Sequence, residues 1–152
     1  MNRRLAALPV FLLIVFGGGL AIGLLVPPGE WYASLAKPPF NPPNWLFAPV
    51  WSVLYVLIAV AGWRVWRAAP RSRAFTAWVV QLVLNFLWTP VFFGAHRIAL
   101  GLVVIAVLFL TILVFIAAAR RLDLPAALLF VPYALWIAFA CLLNLSLLFL
   151  NP

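Results

Sequence analysis

The charged residues of this chain fall in a few short clusters, and the stretches between them are apolar and about as long as a bilayer is thick. Ten basic and two acidic side chains are confined to positions 3–4, 30–37, 64–73, 97 and 120–123. A helix rising 1.5 Å per residue needs about 20 apolar residues to cross ~30 Å of hydrocarbon. The intervals accommodate five such crossings, at residues 5–26, 44–66, 75–93, 98–119 and 125–150. With 68% of residues hydrophobic and only 8% charged, a water-soluble domain of this length has too few polar side chains to cover its own surface. The expected fold class is an all-α integral membrane protein, a bundle of five transmembrane helices forming a single domain over residues 1–152.

The formal charge of +8 does not point to nucleic acid, because the arginines flank apolar spans instead of forming a stripe on a water-exposed fold. They report topology. Five crossings place Arg3, Arg4, Arg64, Arg67, Arg71, Arg73, Arg120 and Arg121 on one side, against Lys37 and Arg97 on the other. Basic residues accumulate on the cytoplasmic side of membrane proteins. The expectation is a bacterial cell membrane, with the amino terminus in the cytoplasm and the carboxyl terminus outside. The apolar stretch 5–26 exceeds the roughly 7–15 residues of a signal-peptide core, so it is read as a retained span. Its Gly19 and Gly23 form a small-x-x-x-small pair, which lets helices approach closely. Packing within the monomer is favoured over a homodimer seam, and a homodimer stays open. Cys141 is the sole cysteine, so it has no disulfide partner within the chain.

Residues 27–43 form the longest connection, holding Trp31, Tyr32, Phe40 and six of the thirteen prolines. Proline fixes φ and lowers the entropy lost on ordering. A stiff aromatic loop of this kind is expected to act as a lid.

The catalytic inventory is thin. Glu30 and Asp123 are the only acids and fall at opposite ends of the bundle, while His96 is the only histidine and sits in a turn. General acid–base pairs and metal clusters both need more than that, so no catalytic residue, metal or cofactor is expected. Tryptophan is the abundant exception, with eight copies. Trp63, Trp66 and Trp78 neighbour the basic turn and Trp45 opens the second span, positions that suit an interfacial belt. Trp51 and Trp88 lie roughly 10 Å in from the lid-side ends of their helices, and Trp136 is near the middle of the fifth span. Tyr55 shares a helix face with Trp51, and Tyr133 with Trp136. Gln81, Asn85 and Trp88 form one stripe on the third span, and amides in lipid must face protein or a cavity. Aromatic walls with a few orienting amides suit a flat, largely apolar guest. Lys37 or Arg97 at the mouth could meet an acidic substituent; a porphyrin with its propionates satisfies all three conditions, and so do some sterols and drug-like heterocycles.

These residues resemble those of the TspO/translocator protein family, the tryptophan-rich sensory proteins or peripheral benzodiazepine receptors. The resemblance spans essentially the whole chain. It is carried by Trp31-Tyr32 with Lys37-Pro38 and Pro42-Pro43; by Pro49-Val50-Trp51 with Tyr55; by Gln81-Leu82 through Asn85, Trp88, Pro90 and Phe92-Phe93-Gly94; and by Pro132-Tyr133 through Trp136, Phe139 and Asn144. It implies a five-helix bundle, often dimeric, with a pocket beneath the first loop for porphyrins and haem-pathway tetrapyrroles. That pocket would include Trp31, Tyr32, Trp51, Tyr55, Asn85, Trp88 and Trp136, and the wider candidate set adds Gln81, Tyr133 and Asn144. It also implies two alternatives: light- and oxygen-dependent degradation of bound porphyrin near Trp31 and Trp136, and binding or translocation of sterol or lipid. The chain departs from the family pattern at Phe40, where tryptophan is common. It departs again after Asn144, where neither the tyrosine nor the basic residue of the animal cholesterol motif is present.

Overall fold

A computed structural model describes residues 6–152. Arg3, Arg4 and Leu5, used above for the charge bias and the first span, lie outside the described residues. Among the described residues, five helices are long and apolar enough to cross a membrane, and the chain is a multi-pass integral membrane protein. We label them α1 (Leu8–Leu25), α3 (Asn44–Ala68), α4 (Arg73–Gly94), α5 (Ile98–Ala119) and α6 (Leu124–Leu150). The short α2 (Glu30–Ser34) lies in the loop between α1 and α3. The boundaries fall within about three residues of those expected from apolar length.

Two of the helices begin at a side-chain cap, and one widens at a proline. Ser72 accepts from the Phe75 N–H at 3.2 Å and caps α4. Asp123 accepts from the Ala126 N–H at 2.9 Å and caps α6, with Pro125 in the first turn, where its missing donor is harmless. The same carboxylate takes a 2.9 Å ion pair from Arg64 on α3. Burial alone would raise the Asp123 pKa. The Arg64 hydrogen bond, the Ala126 N–H and the charges of Arg64 and Arg67 outweigh it and hold the carboxyl below its usual value. Proline also widens helical turns: Pro90, which lacks an N–H, opens the π-turn Pro90–Gly94 at the end of α4. A second π-turn, Leu13–Gly17, interrupts α1.

The buried core contains Ile58, Ala59, Ala61 and Val65 of α3, Ala74 and Trp78 of α4, Ile112 and Phe115 of α5, and Phe130 and Tyr133 of α6. Outward faces carry leucine and valine, such as Leu13 and Leu135, as lipid contact requires. Trp45 is 72% exposed, in keeping with an interfacial anchor. Trp63 lies beneath the Arg67 guanidinium, 4.6 Å from its ring.

Trp78 corrects the belt expectation, because it is buried and its Nε1 donates to the Ile58 carbonyl at 2.8 Å. Gly62 makes the slot. A Cβ at that position would lie 2.1 Å from the indole, so only glycine lets α3 and α4 close around the ring. A buried indole needs an acceptor, and the Ile58 carbonyl supplies it.

Candidate functional site

Between the helices, on the side of the lid, lies a cavity of about 490 Å³, within the ~300–1,000 Å³ usual for small-molecule sites. Seven of the ten candidate residues reach its wall. Trp51 and Tyr55 come from α3, Asn85 and Trp88 from α4, Trp136 and Asn144 from α6, and Tyr32 from the lid. The rings brace one another: Trp51 lies 5.2 Å from Tyr55, and Trp136 meets Phe47 edge-on at 5.9 Å. Trp88 stacks on Phe92 at 4.9 Å with the planes 17° apart.

The other three candidates stand behind the wall. The Tyr133 hydroxyl accepts from Asn85 Nδ2 at 2.8 Å and donates to Gln81 Oε1 at 2.9 Å. Gln81 and Tyr133 are fully buried, and neither lines the cavity. They form an interhelical bridge between α4 and α6 that holds Asn85 in place. With one N–H committed to Tyr133, Asn85 has its carbonyl oxygen and its second N–H to offer a guest. Trp31 is not among the lining residues; it is stacked on His96 at 4.4 Å and edge-on to Phe92 at 5.7 Å. His96 takes a left-handed φ of 56° in the turn after α4, and this presents its ring to Trp31.

Asn144 is a second brace. Its Oδ1 accepts from Trp88 Nε1 at 3.3 Å, and its Nδ2 donates to the Ile98 carbonyl at 3.0 Å. The indole on the wall is thereby tied to the first turn of α5. Gly101 makes room for this contact, since a Cβ there would approach Phe92 to 2.9 Å and Asn144 Oδ1 to 3.3 Å.

The lid is closed on itself by Lys37 and fastened to α6 by Asn151. Lys37 Nζ donates to the carbonyls of Tyr32 at 2.7 Å and of Ala33 and Leu35 at 3.2 Å. It also sits 4.7 Å from the centre of the Tyr32 ring. All three ammonium donors are thus spent on closing α2, and Lys37 does not face the mouth as expected for a contact to an acidic guest. Burial pushes the Tyr32 phenol up from its ordinary value. At the far end of α6, Asn151 pairs with Ala36 as a peptide group would. Its Oδ1 accepts from the Ala36 N–H at 2.9 Å, and its Nδ2 donates to the Ala36 carbonyl at 3.0 Å.

Sequence reasoning missed Asn151 and Phe92 as wall and lid components. Phe92 was within reach, because it follows Trp88 by four residues and Asn85 by seven, on the stripe already identified as inward-facing. Asn151 gave no signal, since its partner lies 115 residues away. Among the described residues, no acidic or basic side chain lines the cavity, and no group of histidine, cysteine and acids could hold a metal. Indoles, phenyl rings, phenols and amides can stack, exclude water and orient a guest.

Comparison with known proteins identifies the family. The TspO/MBR family profile matches residues 10–150. Protein CrtK of Rhodobacter capsulatus is 41% identical over 136 residues, which is 87% of this chain and 85% of that protein. The tryptophan-rich sensory protein of Cereibacter sphaeroides is 40% identical over 151 residues, covering 99% and 95%. The tryptophan-rich protein TspO of Chlorobaculum tepidum is 36% identical over 158 aligned positions, covering all of both chains. The chain belongs to the TspO/MBR family.

Proposed function

We propose that this protein is a membrane receptor, sensor or carrier whose cavity binds porphyrins and related flat apolar ligands. The observation that carries this reading is the wall itself: Trp51, Trp88 and Trp136 come from three helices onto one cavity, with Asn85 and Asn144 beside them. A planar macrocycle buries both faces between such rings, at about 25 cal/mol for each Å² of apolar surface removed from water. The amides supply orientation. Porphyrin degradation is the weaker reading, because it needs Trp31 and Trp136 at the same guest and Trp31 stands outside the wall. Titrating protoporphyrin IX into the purified protein should quench tryptophan fluorescence saturably. Trp51→Phe and Trp88→Phe should each lower the quenching amplitude. Unsaturable quenching that follows only the optical absorbance of the porphyrin would sink the reading.

We also propose that the arginine-rich ends of α3, α4 and α5 face the cytoplasm of a bacterial cell, with the lid and the carboxyl terminus outside. The grouping of Arg64, Arg67, Arg71, Arg73, Arg120 and Arg121 against Lys37 and Arg97 supports this. A carboxyl-terminal alkaline phosphatase fusion should be active in cells, and an inactive fusion would reverse the orientation.

A further inference from the structure

The cavity wall reaches the lipid-facing surface at one place. Leu20 and Leu24 of α1 are 54% and 73% exposed, yet both line the cavity. Gly23 between them is exposed, and a Cβ built there meets nothing within 4 Å. Across from them, Ala48 and Ser52 of α3 are likewise exposed and cavity-lining. The helix path explains the gap. The Leu8–Gly17 half of α1 packs along α3, whereas the Gly18–Leu25 half, beyond the π-turn, leans on α4. Gly19 still rests against the Tyr55 ring, and above it α1 and α3 part. At 1.5 Å rise per residue the opening descends roughly 7–12 Å below the outer helix ends, to the depth of acyl chains.

Given the binding function proposed above, on which this rests, we infer that the guest enters sideways from the bilayer, through the gap between the outer half of α1 and α3. The aqueous end is covered by the lid, which the Asn151–Ala36 pair fastens to α6, while the lipid side holds two leucines, a glycine, an alanine and a serine. The Ser52 hydroxyl donates back to the Ala48 carbonyl at 2.8 Å, so it presents no unmet donor to a passing apolar molecule. A planar apolar compound concentrates in hydrocarbon, and a side door lets it reach the aromatic wall without returning to water or unfastening the lid.

The test uses the full chain in phosphatidylcholine vesicles, with protoporphyrin IX as probe. Partitioning is followed by porphyrin fluorescence and entry by tryptophan quenching. In the series Gly23→Ala, Gly23→Leu and Gly23→Phe the entry rate should fall stepwise, at least tenfold by phenylalanine, with the final quenching retained. Asn151→Ala should leave the entry rate as in the parent. An entry rate indifferent to side-chain size at position 23, or one raised tenfold by Asn151→Ala, would place the route under the lid and overturn the inference. So would loss of saturable quenching already in Gly23→Ala, or spontaneous disulfide dimers of Gly23→Cys in a Cys141→Ala background, which would mean that a second copy covers the gap. A parent protein that shows no saturable quenching refutes the binding function itself, before any variant is compared.

Discussion

Tyr133→Phe is expected to destabilise the bundle by about 1–3 kcal/mol, the cost of stranding a buried polar group. The lost hydroxyl is the only bridge between Asn85 Nδ2 and Gln81 Oε1. Interhelical hydrogen bonds in membranes average only about 0.6 kcal/mol, because partners are also found in the unfolded state. Here the remaining amides decide the outcome. Asn85 lines the cavity and can turn its NH₂ toward that space. Gln81 is fully buried, and its Nε2 already has no hydrogen-bond partner. Without the phenol, neither end of the Gln81 amide is paired. Removing both partners with apolar groups is far cheaper than removing one, so Tyr133→Phe combined with Gln81→Leu should recover much of the loss. Unfolding by graded addition of SDS, followed by circular dichroism, measures both variants. A single mutant as stable as the parent would show that the bridge contributes nothing.

Gly19→Leu should weaken protoporphyrin binding by at least tenfold, or about 1.4 kcal/mol. A Cβ at this position would lie 2.2 Å from Tyr55 Cε2 and 2.3 Å from Cζ, closer than any real contact. The Tyr55 ring is backed by Trp51 and met edge-on by Phe16 at 6.3 Å, so it has little room to retreat except into the cavity. The alternative is that α1 withdraws and the wall opens. Overpacking of this kind typically costs about 1–3 kcal/mol, and either response changes the surface against which a guest stacks. Gly17→Leu is the control, because its Cβ would meet only Leu13 Cδ1 at an ordinary 3.7 Å. Equal affinities for the parent, Gly17→Leu and Gly19→Leu would remove Tyr55 from the binding wall. The contrast with position 23 is informative: bulk there is expected to slow entry, and bulk at 19 to reduce affinity.

The spans were legible because apolar length against bilayer thickness is a one-dimensional question, and charged residues punctuate the chain clearly. The wall was legible in depth but not in radius. Counting residues along α4 and α6 placed Gln81, Asn85 and Tyr133 near one level, yet only contacts between helices distinguish Asn85 at the surface of the cavity from Gln81 and Tyr133 behind it. Trp78 shows the same gap from the other side. Its distance from the arginines suggested an interfacial anchor, although it lies three residues before Gln81 and seven before Asn85, on the inward face. Weighing face alongside depth would have buried it. Lys37 was legible as a cation but not as a cap, since its acceptors exist only once residues 30–34 have turned into α2.

Among the described residues, the cavity wall carries no acidic or basic side chain. Moving one elementary charge through a membrane potential is worth about 2.3 kcal/mol per 100 mV, and occupancy of this cavity displaces no charge of the protein's own. Filling and emptying are therefore electrically silent on the protein's side. Under the proposed binding function, a membrane potential would therefore act on whatever charge the guest itself carries, such as the carboxylates of a porphyrin, and not on the wall that holds it.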